Sequence, residues 1–522
     1  CSVLYPLQKL VYQSQSLCAG EQDYVQRRKQ VVLDSLSSLE MNCTADSVPH
    51  IALLASGGGQ RAAVALVGSL HQMHHEGLLD TLLYFGGVSG STWSMASLYS
   101  DPQWSRNMEA AESRLSGPGV KLEEALGWLG ERSKEEHFSL TDVWGVLTSK
   151  YVFFHKMDIR HLSDEASRNA TNPYPIYCAI EKHCYTNGPI EGKWFEVSPH
   201  EAGFTEMGLF VETSYLGSKF QNGELLEKKP EMDMVKLQGV LLSFADKVNH
   251  NESALLESKT LEERKGVFQQ WSQELLAAVE TWTQSLEEGA FKTHGQSMIQ
   301  HVHRPDLVYV MLGNKHIFKN GFFCVRFLPV SLLTKQILPL VMRWEWGTTP
   351  NFLYQYQDSP VPTCLRSKES FHLVDAGLLI NVAYPSFLGD KRDIDLIIAP
   401  EYSAGNIFML IPNEEDYAAE VQKPFPEIGE TVLQDRDWPK DCYVFEGKGK
   451  EPTIVYMPLF NRQNCKGLFP HEFSTFQPPF NQEKIKFLLE TAKANMKNNK
   501  ETLLREINKA AVRRQSKRCG RA

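Results

Sequence analysis

Ile51-Ala-Leu-Leu-Ala-Ser-Gly-Gly-Gly-Gln-Arg61 and, after a helical spacer, Leu82-Leu-Tyr-Phe-Gly-Gly-Val-Ser-Gly-Ser-Thr-Trp93 decide how this chain folds. Ile51–Ala55 is an unbroken apolar run ending in Ser56 and three glycines, the pattern of a buried strand entering a glycine turn. From Ala62 to His75 the residues Ala63, Leu66, Val67 and Leu70 recur at helical spacing, and Gly77 stands where a helix C-cap would. Leu82–Phe85 reads as a second short strand that runs into Gly86–Ser91. Thr92–Tyr99 reads as another helix, closed by Pro102. Strand, glycine turn, helix, strand, tight turn and helix make a βαβα unit, which implies a parallel sheet with a right-handed crossover.

Outward from that unit, residues 1–50 read as a helical lead-in, because Tyr24–Leu39 is rich in helix formers and charged residues. Phe371–Ile380 has strand-then-turn character, and Ile394–Ala399 is another apolar strand. Val267–Leu286 places Trp271, Leu275, Val279 and Trp282 at helical spacing. That is the pattern of a core face, with a lid or membrane-facing helix as the alternative. Gln482–Arg514 is a long helical stretch with Leu503, Leu504, Ile507 and Ala511 on one face.

The 522 residues are 42% hydrophobic and 22% charged, a globular balance. The net charge of −9 argues against a nucleic-acid binder. The charge is uneven: residues 491–522 hold ten Lys/Arg and two acids, so this tail is +8 and the rest −17. Ten cysteines are scattered without metal-ligand spacing, which reads as free buried thiols in a reducing compartment. The sequons at Asn42, Asn169 and Asn251 are of a kind that arises often by chance. No apolar run is long enough to span a membrane, and Val330–Met342 is interrupted by Thr334, Lys335 and Gln336.

Three segments carry chemistry. In Gly87-Val-Ser-Gly-Ser91 a serine sits on a strand-to-helix turn with glycines at two before and one after it, the packing an exposed nucleophile needs. Ser91 replaces the last glycine of the usual pentapeptide and reads alternatively as a helix N-cap. In Ser56-Gly-Gly-Gly-Gln-Arg61 the glycines let backbone N–H groups approach an oxyanion, and Arg61 can pair with a phosphate. A nucleotide loop is disfavoured, since both Gly-Lys-Ser/Thr and Gly-x-Gly-x-x-Gly are absent. Asp375, in Val374-Asp-Ala-Gly377, follows an apolar strand and reads as a base or as a turn cap. Together they supply a nucleophile, Ser89, an oxyanion hole, Gly58 and Gly59, and a base, Asp375. His71, His74, His75 and His372 stand in no comparable context. A Ser–Asp dyad is therefore expected, with a distant histidine still open.

At these residues the chain resembles the cytosolic phospholipase A2 family (group IV). That family carries Ser-Gly-Gly-Gly-x-Arg, then Gly-x-Ser-Gly-Ser-Thr-Trp, then Asp-[Ser/Ala]-Gly. They stand here as Ser56–Arg61, Gly87–Trp93 and Asp375–Gly377. Asn172–Ile176, Trp194–Pro199, Gly217–Phe220 and Trp344–Thr349 match as well.

The resemblance implies a patatin-like α/β fold: a mostly parallel central sheet with flanking helices and a lid over an apolar funnel. Residues 51–515 would form the catalytic domain, with lid or cap insertions roughly within 104–333, and 491–522 a basic C-terminal helix and tail. It implies Ser89 as nucleophile, Asp375 as base, Gly58 and Gly59 as oxyanion hole and Arg61 as phosphate contact. Phospholipid and lysophospholipid would be the substrates, with no metal or cofactor. About fifty residues precede the first motif, too few for the calcium-binding C2 domain of most members. This feature resembles the gamma branch and implies calcium-independent action, in the cytoplasm and peripherally on intracellular membranes.

The chain departs from the family at its end, Cys519-Gly-Arg-Ala522, which lacks the aliphatic residues of a prenylation box. It also departs at Gly239-Val-Leu-Leu-Ser243 and at Pro400-Glu-Tyr-Ser403, where the family has Gly-x-x-Gly-Ser and Phe-Asp-Phe-Ser. The leading reading is phospholipid acyl hydrolysis through an acyl-serine, with transacylation following from the same intermediate. The alternatives are a catalytically silent membrane-binding homologue, suggested by the basic tail, and a serine esterase of small substrates, against which Arg61 argues.

Overall fold

A computed structural model describes residues 9–115, 158–241, 347–403 and 480–519, most of 120–146 and of 411–465, and Phe473. The strands are β1 (Tyr12–Gln13), β2 (Ile51–Ala55), β3 (Tyr84–Gly87), β4 (Tyr174–Glu181), β5 (Trp194–Val197), β6 (Glu201–Phe204), β7 (Leu209–Glu212), β8 (Lys219–Gln221), β9 (Glu224–Glu227), β10 (Thr348–Pro350), β11 (Ser370–Asp375), β12 (Leu396–Glu401), β13 (Tyr443–Phe445) and β14 (Thr453–Pro458). The first three described helices are α1 (Ala19–Ser38), α2 (Gly59–His75) and α3 (Gly90–Tyr99).

The parallel centre of the main sheet runs β14-β12-β2-β3-β4. Antiparallel strands extend it on both sides, β5-β6-β7-β1 beyond β4 and β13 beyond β14. The expected mostly parallel α/β sheet is therefore present at the centre, with antiparallel wings.

Every residue of β2, β3 and β4 is buried. Their continuous apolar runs are those of strands covered on both faces. Helix α2 is buried along Ala62–Leu70. At Gly68 it meets the helix Gln482–Asn498, where a Cβ would come within 2.7 Å of the Leu489 carbonyl oxygen. All of α3 is buried. The helix expected at Ala62 starts three residues earlier, at Gly59, and the second strand lies at Tyr84–Gly87. Gly77 does sit in the left-handed region, with φ +72°.

The long C-terminal helix is two, Gln482–Asn498 and Lys500–Cys519, broken at Asn499. Its basic side chains are largely engaged within the molecule. Arg514 pairs with Asp393 and with buried Asp395, both at 2.6 Å, and Lys517 reaches the same two acids. Lys493, Lys500 and Lys509 pair with Glu112, Glu76 and Glu446. A tail whose cations are paired with acids of the same molecule offers an anionic membrane less charge than the sequence suggests.

The reading of all cysteines as free thiols is corrected at one pair. Cys184 and Cys364 form a disulfide with Cα atoms 6.0 Å apart, while Cys18, Cys43, Cys178, Cys442 and Cys465 are free. Cys184 lies in the short helix Lys182–Asn187 just after β4, and Cys364 in Thr363–Arg366 just before β11. The bond, between cysteines 180 positions apart, therefore staples two strands that pair in the sheet. Closing so long a loop restricts the unfolded chain by about 3–5 kcal/mol. Cys364→Ser is expected to lower the denaturant midpoint, and dithiothreitol to lower that of the wild type but not of the variant.

Residues 121–140 and 246–345 form a second compact unit. Its described residues include a helix at Leu122–Arg132, on which the Arg132 guanidinium lies 5.2 Å from the Trp128 ring centre. The Val267–Leu286 stretch lies outside the described residues, as do 147–157 and 242–333, on which much of the expected lid falls.

Candidate active site

The register of β4 builds the site. Strand β3 runs parallel to β4 and ends with Gly87 opposite Tyr177. Strand β11 runs antiparallel to β4 and ends with Asp375 opposite Ala179. β5 occupies the other edge of β4 at both positions. β3 and β11 thus approach end to end along one edge of β4, two residues apart, or about 7 Å at strand rise. The turn after Gly87 and the end of β11 must then meet. The Ser89 hydroxyl donates to Asp375 Oδ2 at 2.7 Å.

Ser89 sits at φ +54°, ψ −132°, a backbone conformation unfavourable for any residue with a Cβ. The neighbouring glycines explain how the turn fits. A Cβ on Gly87 would lie 2.3 Å from Met95 Sδ, and one on Gly90 would lie 2.0 Å from the Gly59 carbonyl oxygen. Ser89 is half-buried between fully buried neighbours. Ser91 is not the N-cap of α3: it lies inside the helix and its hydroxyl donates to the Ser56 carbonyl at 2.5 Å.

Asp375 is buried and caps a short 3₁₀ turn, its Oδ1 accepting the Gly377 N–H at 2.8 Å. The turn-cap reading of this residue holds through Oδ1, while Oδ2 faces Ser89. His71 pairs with Glu112, and His372 faces Thr348.

The glycine loop lies against the serine turn. A Cβ on Gly57 would meet Ser89 Cβ at 2.7 Å and Asn381 Oδ1 at 2.4 Å. Gly58 and Gly59 have φ of +152° and +58°, which favours glycine. The Gly57 N–H bonds the Asn381 carbonyl at 3.0 Å, whereas the N–H groups of Gly58 and Gly59 have no acceptor among the described residues. They stand at the N-terminus of α2, whose dipole favours negative charge there.

Arg61 is only 1% exposed. Its Nε donates to the Tyr402 carbonyl at 2.5 Å and its Nη1 to the Phe473 carbonyl. Nη2 has no partner among the described residues and lies 3.0 Å from where a Gly58 Cβ would stand. Burial lowers the guanidinium pKa to about 10, with Glu401 opposing, so it remains a cation at neutral pH. One nitrogen, rather than a free fork, faces the loop.

Sequence reasoning missed the residues behind the loop. Asn381 Nδ2 donates to the Gly57 carbonyl at 3.3 Å and to Ser403 Oγ. Glu401 Oε1 accepts from Ser56 Oγ at 3.0 Å and from the Ser403 N–H at 2.6 Å. The one sequence signal was the polar Glu401 and Ser403 closing an apolar strand.

A family model described as the lysophospholipase catalytic domain matches residues 51–116 and 129–288. Over 93% of its length the chain is 30% identical to the cytosolic phospholipase A2 gamma of Homo sapiens, covering 94% of that protein. It is 29% identical to the Mus musculus protein of the same name, over 94% of the chain and 91% of the relative. Cytosolic phospholipase A2 zeta of Homo sapiens is 31% identical over 85% of the chain and 53% of its own length. The human GIVD cytosolic phospholipase A2 superposes with a TM-score of 0.69 at 24% identity, covering 97% of this chain and 69% of that one. The last comparison establishes a shared fold.

Proposed function

The chain belongs to the cytosolic phospholipase A2 family, and we propose that it hydrolyses acyl esters of glycerophospholipids and lysophospholipids through an acyl-Ser89 intermediate. The observation that carries this reading is the 2.7 Å hydrogen bond from Ser89 Oγ to Asp375 Oδ2. As Oγ attacks the ester carbonyl, Asp375 accepts the hydroxyl proton. Charge then develops on the carbonyl oxygen, where the N–H groups of Gly58 and Gly59 and the start of α2 stabilise it. When the tetrahedral adduct collapses, Asp375 returns the proton to the departing alcohol oxygen, and the acyl group stays on Ser89. Water, deprotonated by the same carboxylate, attacks the acyl carbon, and Asp375 returns that proton to Ser89 Oγ as the acyl–oxygen bond breaks and the fatty acid leaves. A lysolipid hydroxyl in place of water would give transacylation.

No step in this sequence calls for calcium. The capping bond from Gly377 to Oδ1 keeps Oδ2 turned to Ser89, the positioning a single carboxylate base requires.

A phospholipid substrate lies in a bilayer, so this reading includes peripheral contact with membranes. No described helix is long and apolar enough to cross one. The reading as a small-substrate esterase is disfavoured by Arg61 Nη2, a buried guanidinium nitrogen with no partner among the described residues, which suits a phosphate oxygen. Losing one charge-assisted hydrogen bond costs about 1.5–3 kcal/mol, or roughly 10–150-fold. Arg61→Ala is expected to lower kcat/KM for phosphatidylcholine relative to p-nitrophenyl butyrate by that factor. An equal fall on both substrates would place Arg61 in scaffolding alone.

The reading as a whole is tested with a lipid-like fluorophosphonate and with phosphatidylcholine vesicles. Wild-type chain that neither takes the label nor releases fatty acid would refute it.

A further inference from the structure

We propose that Glu401 is the positioning residue of the oxyanion loop, acting through Ser56; this rests on the reading of Gly58 and Gly59 as oxyanion donors. Glu401 ends β12, next to β2, whose last residue leads into Ser56. Its Oε1 accepts from Ser56 Oγ at 3.0 Å and from the Ser403 N–H at 2.6 Å. Ser56 Oγ in turn accepts from the Tyr402 N–H at 2.6 Å, and the Ser56 carbonyl accepts from Ser91 Oγ at 2.5 Å. Ser403 Oγ receives Asn381 Nδ2, which also reaches the Gly57 carbonyl. The Tyr402 carbonyl holds Arg61 Nε.

One carboxyl oxygen thus closes a ring of hydrogen bonds through residues on both sides of Gly58 and Gly59. Ser56 and Gly57 enter the loop, Arg61 leaves it, Ser91 follows the nucleophile, and Asn381 follows Asp375. Two glycines in left-handed conformations have little intrinsic preference for one orientation. Something outside the loop must fix where their N–H groups point, and this ring touches it on both sides.

Burial raises the Glu401 carboxyl above its usual range, against the hydrogen bonds from Ser403 and Ser56, which lower it.

The test is a double-mutant cycle on Glu401 and Ser56, read as kcat and KM on phosphatidylcholine. Active sites are counted by fluorophosphonate labelling, so misfolded chains do not enter kcat. Glu401→Ala is expected to lower kcat per labelled site by about 100-fold with KM within threefold, and Glu401→Gln, which keeps an accepting oxygen, to recover at least tenfold of that loss. Ser56→Ala should reproduce most of the loss, and the double variant should add little to either. Additive losses, an unchanged kcat in Ser56→Ala, or equal losses from Gln and Ala would overturn the proposal. Ser56→Ala alone decides it should Glu401→Ala fail to fold. Failure of the functional reading is distinguishable, because the wild type would then show no labelling at all.

Discussion

Ser89→Ala is expected to abolish phospholipid turnover, by about 10⁴-fold or more, while leaving the fold intact. The magnitude follows from removing the atom that forms the bond, as in serine hydrolases where loss of the nucleophile leaves only binding and oxyanion stabilisation. The small structural effect follows from the geometry. Alanine has the same Cβ as serine and meets the φ of +54° no worse. The lost contact is one hydrogen bond at a half-buried position, where water can take over the Asp375 oxygen. Fluorophosphonate labelling and fatty-acid release should both vanish, with a thermal midpoint within a few degrees of the wild type. Residual turnover within tenfold of wild type would remove Ser89 from the chemistry.

Asp375→Asn is the second large effect, expected at about 10³–10⁴-fold in kcat with KM nearly unchanged. The amide is nearly isosteric. Its oxygen can keep the Gly377 N–H, so the 3₁₀ turn and the end of β11 should survive. Its nitrogen then faces Ser89 and cannot take a proton. Rate in the variant should depend on hydroxide from solvent and rise about tenfold per pH unit above neutrality, where the wild type is flat. A distant histidine base predicts something else: a modest loss in Asp375→Asn, with the wild-type pH profile retained. Stopped assays between pH 7 and 9 separate the two.

The sequence carried the centre of the fold because that part is local. An apolar pentapeptide, three glycines and a helical period follow one another between Ile51 and His75, and each signals itself without distant partners. Ser89, Gly58 and Gly59 were legible for the same reason, since glycines beside a small polar residue mark close backbone approach. Asp375 was legible only in company. What brings it to Ser89 is the shared edge of β4, a strand whose register no local pattern specifies.

Less was legible where side chains meet across long separations. Glu401 reaches Ser56 across 345 positions and Cys184 reaches Cys364 across 180, and neither has a local signature. The basic tail misled in the opposite direction. Arg514 and Lys517 looked like a free cationic surface, yet they turn inward to Asp393 and Asp395, more than a hundred residues away. Arg61, read as an open clamp, is mostly occupied by backbone carbonyls, and Nη2, without a partner among the described residues, carries the phosphate reading.

Acid-quench mass spectrometry during turnover of phosphatidylcholine tests the acyl-Ser89 mechanism most directly. The expected result is one acyl group per chain, mapped to the peptide containing Ser89, formed within the first turnover and decaying as fatty acid appears. Sustained turnover with no acylated peptide, or with the acyl group on another residue, would contradict Ser89 as the nucleophile.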